Sequence, residues 1–503
     1  MFGFRPIILF RINKFTPKSQ KWKIIPNIEY RITKNENKML SFFKVNAVYQ
    51  IFSLLILLIL VRLPVYLVGL PQLIPELQWM LVGEQINKGF VMYSEIWDNT
   101  APLSALVYAG LDKIFGRSQT VYQIAALTFA SIQVIYFNVM INNRDVLSKR
   151  NYVPGLIYLL FLNISFDCCT LSPVLMATTF VLMSFGALVR QINRLQSTDE
   201  VFEIGFLIGI ASLFYPPACI FILWAMASLV FFSGANIRQY SLAIFGFLFP
   251  LLLTALYFYL DGTYSAFSRN FISSVFQIRQ YNLNDFKSLL VTLIIPFGLA
   301  ILGFLRLVNA FGFNNFQVRC QQVMMLWAIA GLVSIGLMPF LAPMQFIIFV
   351  PALAFFTINF FNSLKKQWLA ELIFLGVFGA ILLIHYQAVY SSENGGFVQL
   401  KNLKLGLKQE VKIKNKRILV LGDGMEEYKN NYAATPYLNW NLAKYELENL
   451  DNYDNVISIL RNFEKDSPEI IIDKVNLAPK LFKRIPALER QYKLVEKGVY
   501  KRV

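Results

Sequence analysis

Long apolar runs separated by short polar stretches fill most of this 503-residue chain. A bilayer core about 30 Å thick is crossed by about 20 apolar residues in a helix, and about eleven runs approach that length. The predicted spans lie near 45–70, 118–141, 152–168, 172–190, 203–215, 217–233, 240–260, 288–308, 322–337, 341–361 and 368–387. The pattern therefore predicts a polytopic α-helical membrane protein with about eleven transmembrane helices.

The pattern changes to that of a soluble domain at about Ser391. "KRILVLGDG" has the pattern of a buried strand that ends in a glycine turn, and "SPEIIID" that of a second strand. "YLNWNLAKYELENL" and "NVISILRNFEKD" show helical periodicity, and "YKLVEKGVYKRV" is typical of a hairpin. Residues 391–503 are therefore predicted to form a small C-terminal α/β domain.

The composition supports the division into a membrane part and a soluble part, and it limits the kinds of binding partner that are expected. Apolar residues make up 56% of the chain and charged residues 15%, against roughly 25% in ordinary globular chains. The net charge of +17 is concentrated near the start, where the first 45 residues carry ten Lys and Arg. Such a segment is attracted to anionic membrane lipids. Because no RNA-binding module accompanies it, no nucleic-acid partner is expected, while a protein partner could dock there.

Basic residues also predict the orientation in the membrane. The basic segment 1–44 is expected to stay in the cytoplasm, followed by a transmembrane domain over 45–390. An odd number of spans then places the first loop, 71–117, and the domain 391–503 on the extracytoplasmic side. Within that loop "PLSALVYAGLDKIFG" is too short to span, so it is predicted to lie in the outer interface.

The first loop carries the residues most suited to chemistry. Pro75 fits the first turn of a helix, and Glu76 then lies near the helix N-terminus, where the dipole favours its ionised form. Glu95 and Asp98 lie beside Trp97 in "YSEIWDN". Carboxylates accept hydrogen bonds from hydroxyls, and aromatic faces cover the apolar side of a sugar ring. This combination fits sugar chemistry at the membrane surface.

Three arginines near the predicted outer surface are candidate anion ligands: Arg62, Arg269 and Arg279. Arg62 lies inside a predicted span, where a charge is costly, which favours a functional role. Extension of its long side chain to the membrane interface explains its position equally well.

The loop pattern "E-L-x-W-M-L-x-G-E-x-I-x-x-G-F-x-M-Y-S-E-I-W-D-N-x-x-P-L", followed by a stretch ending in "FG", resembles the first loop of GT-C-fold glycosyltransferases. The similarity is to bacterial family-39-like membrane proteins, relatives of the protein O-mannosyltransferases and the lipid A aminoarabinose transferase. "FLIGIASLFYPPACIFIL" resembles the glycine-rich span pair of that family, and the tail is similar to its small extracytoplasmic domain.

The resemblance implies transfer of a sugar from a polyprenyl-phosphate donor to an envelope glycan, lipid or protein, with inversion. The catalytic residues would be Glu76 and Asp98, with Glu76 as the base that deprotonates the acceptor hydroxyl. The substrate-binding residues would be Glu95, Trp97, Asn99, Arg62, Arg269 and Arg279. The arginines would hold the phosphate. No cofactor and no metal ligands are assigned, and a need for a divalent metal stays open.

The chain departs from the family pattern at two places. Pro75 precedes Glu76 where the family often has Asp-Glu, and Asn99 and Thr100 stand where it often has a basic residue. These departures keep a second hypothesis open, a non-catalytic GT-C-like scaffold subunit of an envelope membrane complex. A transporter is disfavoured, because the sequence has no inverted repeat and little charge at mid-membrane depth.

Overall fold

A computed structural model of the chain describes residues 38–147, 149–193, 198–273, 286–310, 312–390, 398, 403–405 and 413–503. Most of the basic segment 1–44 therefore lies outside the described residues, and so does the candidate ligand Arg279.

The described residues up to Tyr390 form helices joined by connecting segments. In chain order these helices are α1 (Met39–Phe42), α2 (Tyr49–Val68), α3 (Ile74–Asn87), α4 (Pro102–Phe115), α5 (Gln119–Asn143), α6 (Val153–Phe161), α7 (Pro173–Asn193), α8 (Asp199–Phe214), α9 (Pro216–Ser233), α10 (Ile237–Leu260), α11 (Tyr264–Phe267), α12 (Phe286–Val308), α13 (Asn315–Ser334), α14 (Pro343–Ser363) and α15 (Gln367–Tyr390).

Among the described residues, nine helices are long and apolar enough to cross a membrane: α2, α5, α7, α9, α10, α12, α13, α14 and α15. The two remaining predicted spans form α6 and α8, which are apolar but have only 9 and 16 residues. Each of the eleven apolar runs is therefore a helix, and the chain is a multi-pass helical membrane protein.

Helix α14 lies at the centre of the helical part and is buried along its whole apolar length. It packs against α6, α12 and α13. The connection between α6 and α7 is also completely buried, including its polar residues. We call residues 163–172 of this connection the buried polar segment. Because this segment is enclosed by protein, its polar groups need hydrogen-bond partners from other helices.

Glycines allow a close helix contact between α8 and α10. A Cβ atom on Gly205 would overlap the carbonyl oxygen of Ala243, and one on Gly209 would overlap the Phe247 carbonyl oxygen and the Pro250 ring. Small residues four apart let two helix backbones approach closely, which gives van der Waals contact that larger side chains would prevent. The glycine-rich pattern in the sequence therefore has a packing role.

The first loop, 71–117, contains helices α3 and α4, which pack against each other. Pro75 and Pro102 lie in their first turns, where the missing N–H groups cost no hydrogen bond. Trp79 of α3 stacks on Tyr108 of α4, which stacks in turn on Tyr122 of α5. This row of rings fixes the loop to the helical part.

The tail forms a five-stranded sheet with four short helices. Its elements are β1 (Arg417–Leu421), β2 (Tyr432–Ala433), α16 (Trp440–Leu447), α17 (Tyr453–Lys465), β3 (Ile470–Asp473), α18 (Ala478–Arg484), α19 (Pro486–Glu489), β4 (Tyr492–Glu496) and β5 (Val499–Arg502). The strand order is β2-β1-β3-β5-β4; β1 runs parallel to β2 and β3, and β5 pairs antiparallel with β3 and β4. The predicted small α/β domain is confirmed.

We expect Gly205→Ala to lower the thermal midpoint of the detergent-purified protein, because the added methyl group separates α8 from α10 and overpacking costs about 1–3 kcal/mol. Gly298→Ala on α12 is the matched control, since a Cβ there meets no atom within 4 Å. The control should leave the midpoint unchanged or raise it slightly. Equal shifts in the two variants would contradict the assigned packing role.

Candidate active site

Glu76 is enclosed by protein at the N-terminal turn of α3. Its side chain is 1% exposed and accepts hydrogen bonds from the Thr170 hydroxyl at 2.6 Å and from the Gln119 amide at 3.1 Å. The backbone N–H of Leu73 donates to it at 3.5 Å. Burial raises the pKa of Glu76 to about 7, and these hydrogen bonds oppose the rise only in part.

Thr170 belongs to the buried polar segment, which also receives side chains from α2, α4 and α15. The Tyr108 hydroxyl donates to the Leu171 carbonyl at 2.9 Å, and the Cys169 sulfur lies 3.9 Å from Nε2 of His385. Several helices therefore meet at one irregular stretch of buried backbone. Irregular backbone at such depth is typical of functional sites in membrane proteins.

Arg62 of α2 reaches the same segment. Its Nε donates to Oδ1 of Asn163 at 2.8 Å, and its Nη2 donates to the carbonyl of Cys168 at 3.4 Å. The side chain is fully buried, so it does not extend to the interface, and that alternative is wrong. Within the described part of the chain, Nη1 has no hydrogen-bond partner and no carboxylate pairs with the guanidinium, while the Tyr66 side chain also interacts with it.

Arg62 and Glu76 share this enclosed site. The segment binds Arg62 through the Cys168 carbonyl and Glu76 through Thr170, two residues further on. Residues two apart are separated by at most about 7 Å. A buried cation without an anionic partner is costly. Arg62 and Glu76 do not act on each other directly, since neither is among the groups that shift the pKa of the other.

Asp98 lies in the loop after α3 and contacts a different face of that helix from the one that carries Glu76. It is fully buried, and Gln78 donates to its Oδ2. The backbone N–H of Thr100 donates to Oδ1 at 2.7 Å, and the Thr100 hydroxyl donates to the same oxygen. Gln78 follows Glu76 by two residues, about 200° around the helix. The structure therefore does not bring the two predicted catalytic carboxylates together on one face.

The other predicted loop residues contact the tail domain. The backbone N–H of Trp97 donates to the Pro436 carbonyl at 2.7 Å, and the Trp97 ring packs edge-on against Tyr437 at 5.3 Å. The guanidinium of the exposed Arg269 lies over the Trp97 ring, 5.1 Å from the ring centroid. Asn99 lies beside them and is half-buried.

Glu95 forms an ion pair with Lys465 of α17 and accepts the Val91 N–H at 2.9 Å. Partial burial opposes ionisation, but the Lys465 ammonium and the backbone donor outweigh it and lower the pKa of Glu95. This carboxylate therefore anchors the first loop to the tail domain.

A cleft of about 150 Å³ lies where α3 meets the tail domain, beside Gln78. Its polar lining includes the exposed Asp423 in the glycine turn after β1, with Asn439 and Asn441 at the start of α16. Trp440 adds an aromatic surface. A crevice at the carboxyl ends of parallel strands is a common ligand position in α/β sheets.

Sequence reasoning missed the polar partners of Glu76 and Arg62. Thr170 and Asn163 lie in or beside runs that look apolar, and a single polar residue in such a run carries no signal of its own. The "NISFDCCTLS" stretch, with five polar residues between two spans, was the one available indication. Within the described ranges, no three side chains of the types His, Cys, Asp and Glu lie close enough to hold a metal ion.

Comparison with known proteins gives a fold but no closer relationship. No protein-family model and no curated protein matches the chain. The crystal structure of ArnT from Cupriavidus metallidurans bound to undecaprenyl phosphate is similar, with a TM-score of 0.50 and 13% identity over 69% of this chain and 67% of that one. The apo oligosaccharyltransferase of Archaeoglobus fulgidus also has a TM-score of 0.50, with 11% identity over 88% and 73%. The chain therefore has the GT-C fold of membrane glycosyltransferases.

Proposed function

We propose that this protein is a membrane glycosyltransferase that moves a sugar from a polyprenyl-phosphate donor to an acceptor of the cell envelope. The observation that carries the proposal is the buried polar segment, which binds Arg62 through Cys168 and Glu76 through Thr170. Arg62 supplies an unused cationic donor and Glu76 a carboxyl group with a pKa of about 7. The likeness in fold to an enzyme crystallised with undecaprenyl phosphate supports the choice of donor.

In this proposal Glu76 is the general base. Its pKa of about 7 lets it accept a proton from an acceptor hydroxyl near neutral pH, where a base of this strength is effective. The acceptor hydroxyl would replace the Thr170 hydroxyl as the donor to Oε1. The acceptor oxygen then attacks the anomeric carbon as the bond to the lipid phosphate breaks, which inverts the configuration in a single displacement.

Arg62 is the phosphate ligand in the same proposal. Its Nη1 would donate to a phosphate oxygen, while Asn163 and the Cys168 carbonyl hold the guanidinium in place. Charge-assisted hydrogen bonds of this kind stabilise the negative charge that grows on the leaving phosphate. Phosphate is a good leaving group, so a second carboxyl acting as general acid is not needed.

Asp98 acts as a positioning residue rather than as a second base. It orders the loop through Thr100 and holds α3 through Gln78. The amide-rich cleft beside Gln78 suits the hydroxyl groups of an acceptor that projects out of the membrane. The domain carrying this cleft would then face the extracytoplasmic side of the bacterial cytoplasmic membrane.

We expect Glu76→Gln to reduce sugar transfer by about 10²–10⁴-fold, because it removes the base. The wild-type rate should rise with pH through about 7 and level off above it, since only the ionised carboxylate accepts the proton. The measurement is transfer of labelled sugar from polyprenyl phosphate to envelope fractions by the purified protein. Asp112→Asn, in the same loop, is the control and should keep full activity; full activity in Glu76→Gln would overturn the assignment.

The pKa of Glu76 has a second consequence that needs no substrate. Because folding raises this pKa from 4.5 to about 7, the carboxyl favours the folded state below pH 4.5 and loses that contribution as the pH rises through 7. At pH 8, Glu76→Gln should therefore unfold at a higher temperature than the wild type, because its free energy of unfolding is larger by roughly 3 kcal/mol. At pH 4.5 the two proteins should differ little. Identical curves at both pH values would contradict the raised pKa.

We expect Arg62→Met to weaken binding of undecaprenyl phosphate at least tenfold with only a small change in the thermal midpoint. The hydrogen bonds lost to Asn163 and Cys168 destabilise the fold, while removal of the buried charge stabilises it. Native mass spectrometry and thermal unfolding of the same samples measure the two effects. Arg306→Met, an exposed arginine at the end of α12, is the control. A lowered midpoint with unchanged lipid binding would show a structural role instead.

One observation favours the alternative of a non-catalytic scaffold subunit. The carboxylates of Glu76 and Asp98 are both enclosed and hydrogen-bonded by protein groups. A scaffold would bind neither undecaprenyl phosphate nor sugar donor and would co-purify with other envelope subunits. The two assays above therefore separate the hypotheses.

A further inference from the structure

A second groove, with a volume of about 480 Å³, lies between α5 and α7 on the outside of the helical part. Its wall on α5 is apolar and includes Ile132, Ile135 and Val139, of which Ile132 and Val139 are exposed. Gly186 of α7 leaves the space in which the Tyr136 ring lies, and a Cβ atom there would overlap the Tyr136 hydroxyl. The groove is therefore open to the acyl chains of the bilayer.

Cationic side chains stand at one end of this groove. Arg144 follows the last residue of α5, is exposed, and forms no ion pair within the described residues. Arg190 of α7 lines the same end and is paired with Glu203 of α8, while the Tyr136 hydroxyl donates to the Met183 carbonyl at 3.4 Å. The groove therefore combines an apolar wall with a positive mouth.

The dimensions match one leaflet of a membrane. From Ile132 to Arg144 the helix rises about 18 Å, and half of the hydrocarbon core is about 15 Å. The groove is also far from the candidate active site. Gln119, which contacts Glu76, is the first residue of α5, and Asn143 is the last, about 36 Å away along the helix.

We propose that this groove is a binding site for an anionic phospholipid of the leaflet opposite to the candidate active site. One acyl chain lies along the apolar wall on α5. The phosphate accepts hydrogen bonds from Arg144, which carries the positive charge that no carboxylate pairs with at this end of the groove within the described residues. Basic pockets between membrane helices recognise anionic headgroups through the same combination of charge and apolar contact. Along α5 the headgroup end lies about 36 Å from Gln119 and the apolar wall at Ile132 about 20 Å, so this lipid stays apart from the sugar-transfer site and the proposal does not depend on the proposed function.

The test is native mass spectrometry of delipidated protein titrated with dioleoyl phosphatidylglycerol or dioleoyl phosphatidylcholine. We expect Arg144→Gln to bind phosphatidylglycerol about fivefold more weakly, with phosphatidylcholine binding unchanged, since one basic residue near the surface contributes about that factor. Val139→Trp fills the groove without changing the charge and should weaken the binding of both lipids. Arg306→Gln is the matched control and should bind both as the wild type does.

Two outcomes would overturn the proposal. Equal losses in Arg144→Gln and Arg306→Gln would show general attraction of anionic lipid to a basic protein surface. Undecaprenyl phosphate that binds more tightly than phosphatidylglycerol, and depends on Arg144, would show that the occupant is the isoprenoid carrier. Because Arg144 is exposed and forms no ion pair in the described residues, its replacement is not expected to unfold the protein.

Discussion

The burial of charged and polar groups in the segment 163–172 is the constraint on which the rest of the structure depends. Within a span, each unsatisfied polar group costs several kcal/mol, because no water replaces a missing partner. Here Arg62 binds Asn163 and Cys168, and Glu76 binds Thr170. These contacts hold α2, α3 and the connection between α6 and α7 in one arrangement. They leave one guanidinium donor unused, at the place where an anionic substrate would supply the missing acceptor.

Helix α3 separates two environments. One face carries Glu76 toward the buried polar segment, and the other carries Gln78 toward Asp98 and the cleft at the tail domain. The tail domain is tied to the loop by Trp97 and by the Glu95–Lys465 ion pair. A ligand that enters the cleft would therefore act on the helix that carries the proposed base, which offers a direct route from acceptor binding to the position of Glu76.

The two proposed lipid contacts lie at opposite ends of the helical part and use different chemistry. Arg62 is enclosed and held by fixed acceptors, which suits a phosphate that reacts. Arg144 is exposed at the end of an open groove, which suits a headgroup that exchanges with the bilayer. Burial removes competition from water and makes the first site selective, whereas the second site recognises mainly charge and an acyl chain.

The sequence alone determined the helices, the small α/β tail and the position of Glu76 at a helix start, because hydropathy and local turn preferences report the transfer free energy and backbone preference of each residue. Only the tertiary structure decided what these residues contact. Thr170, which donates a hydrogen bond to Glu76, lies 94 residues away in the sequence. Trp97, whose aromatic ring suggested sugar binding, is buried against the tail domain. The two predicted catalytic carboxylates fall on different faces of α3 for the same reason. A polar group that is buried away from water forms its hydrogen bond with whichever segment packs beside it. The local sequence does not specify which segment that is.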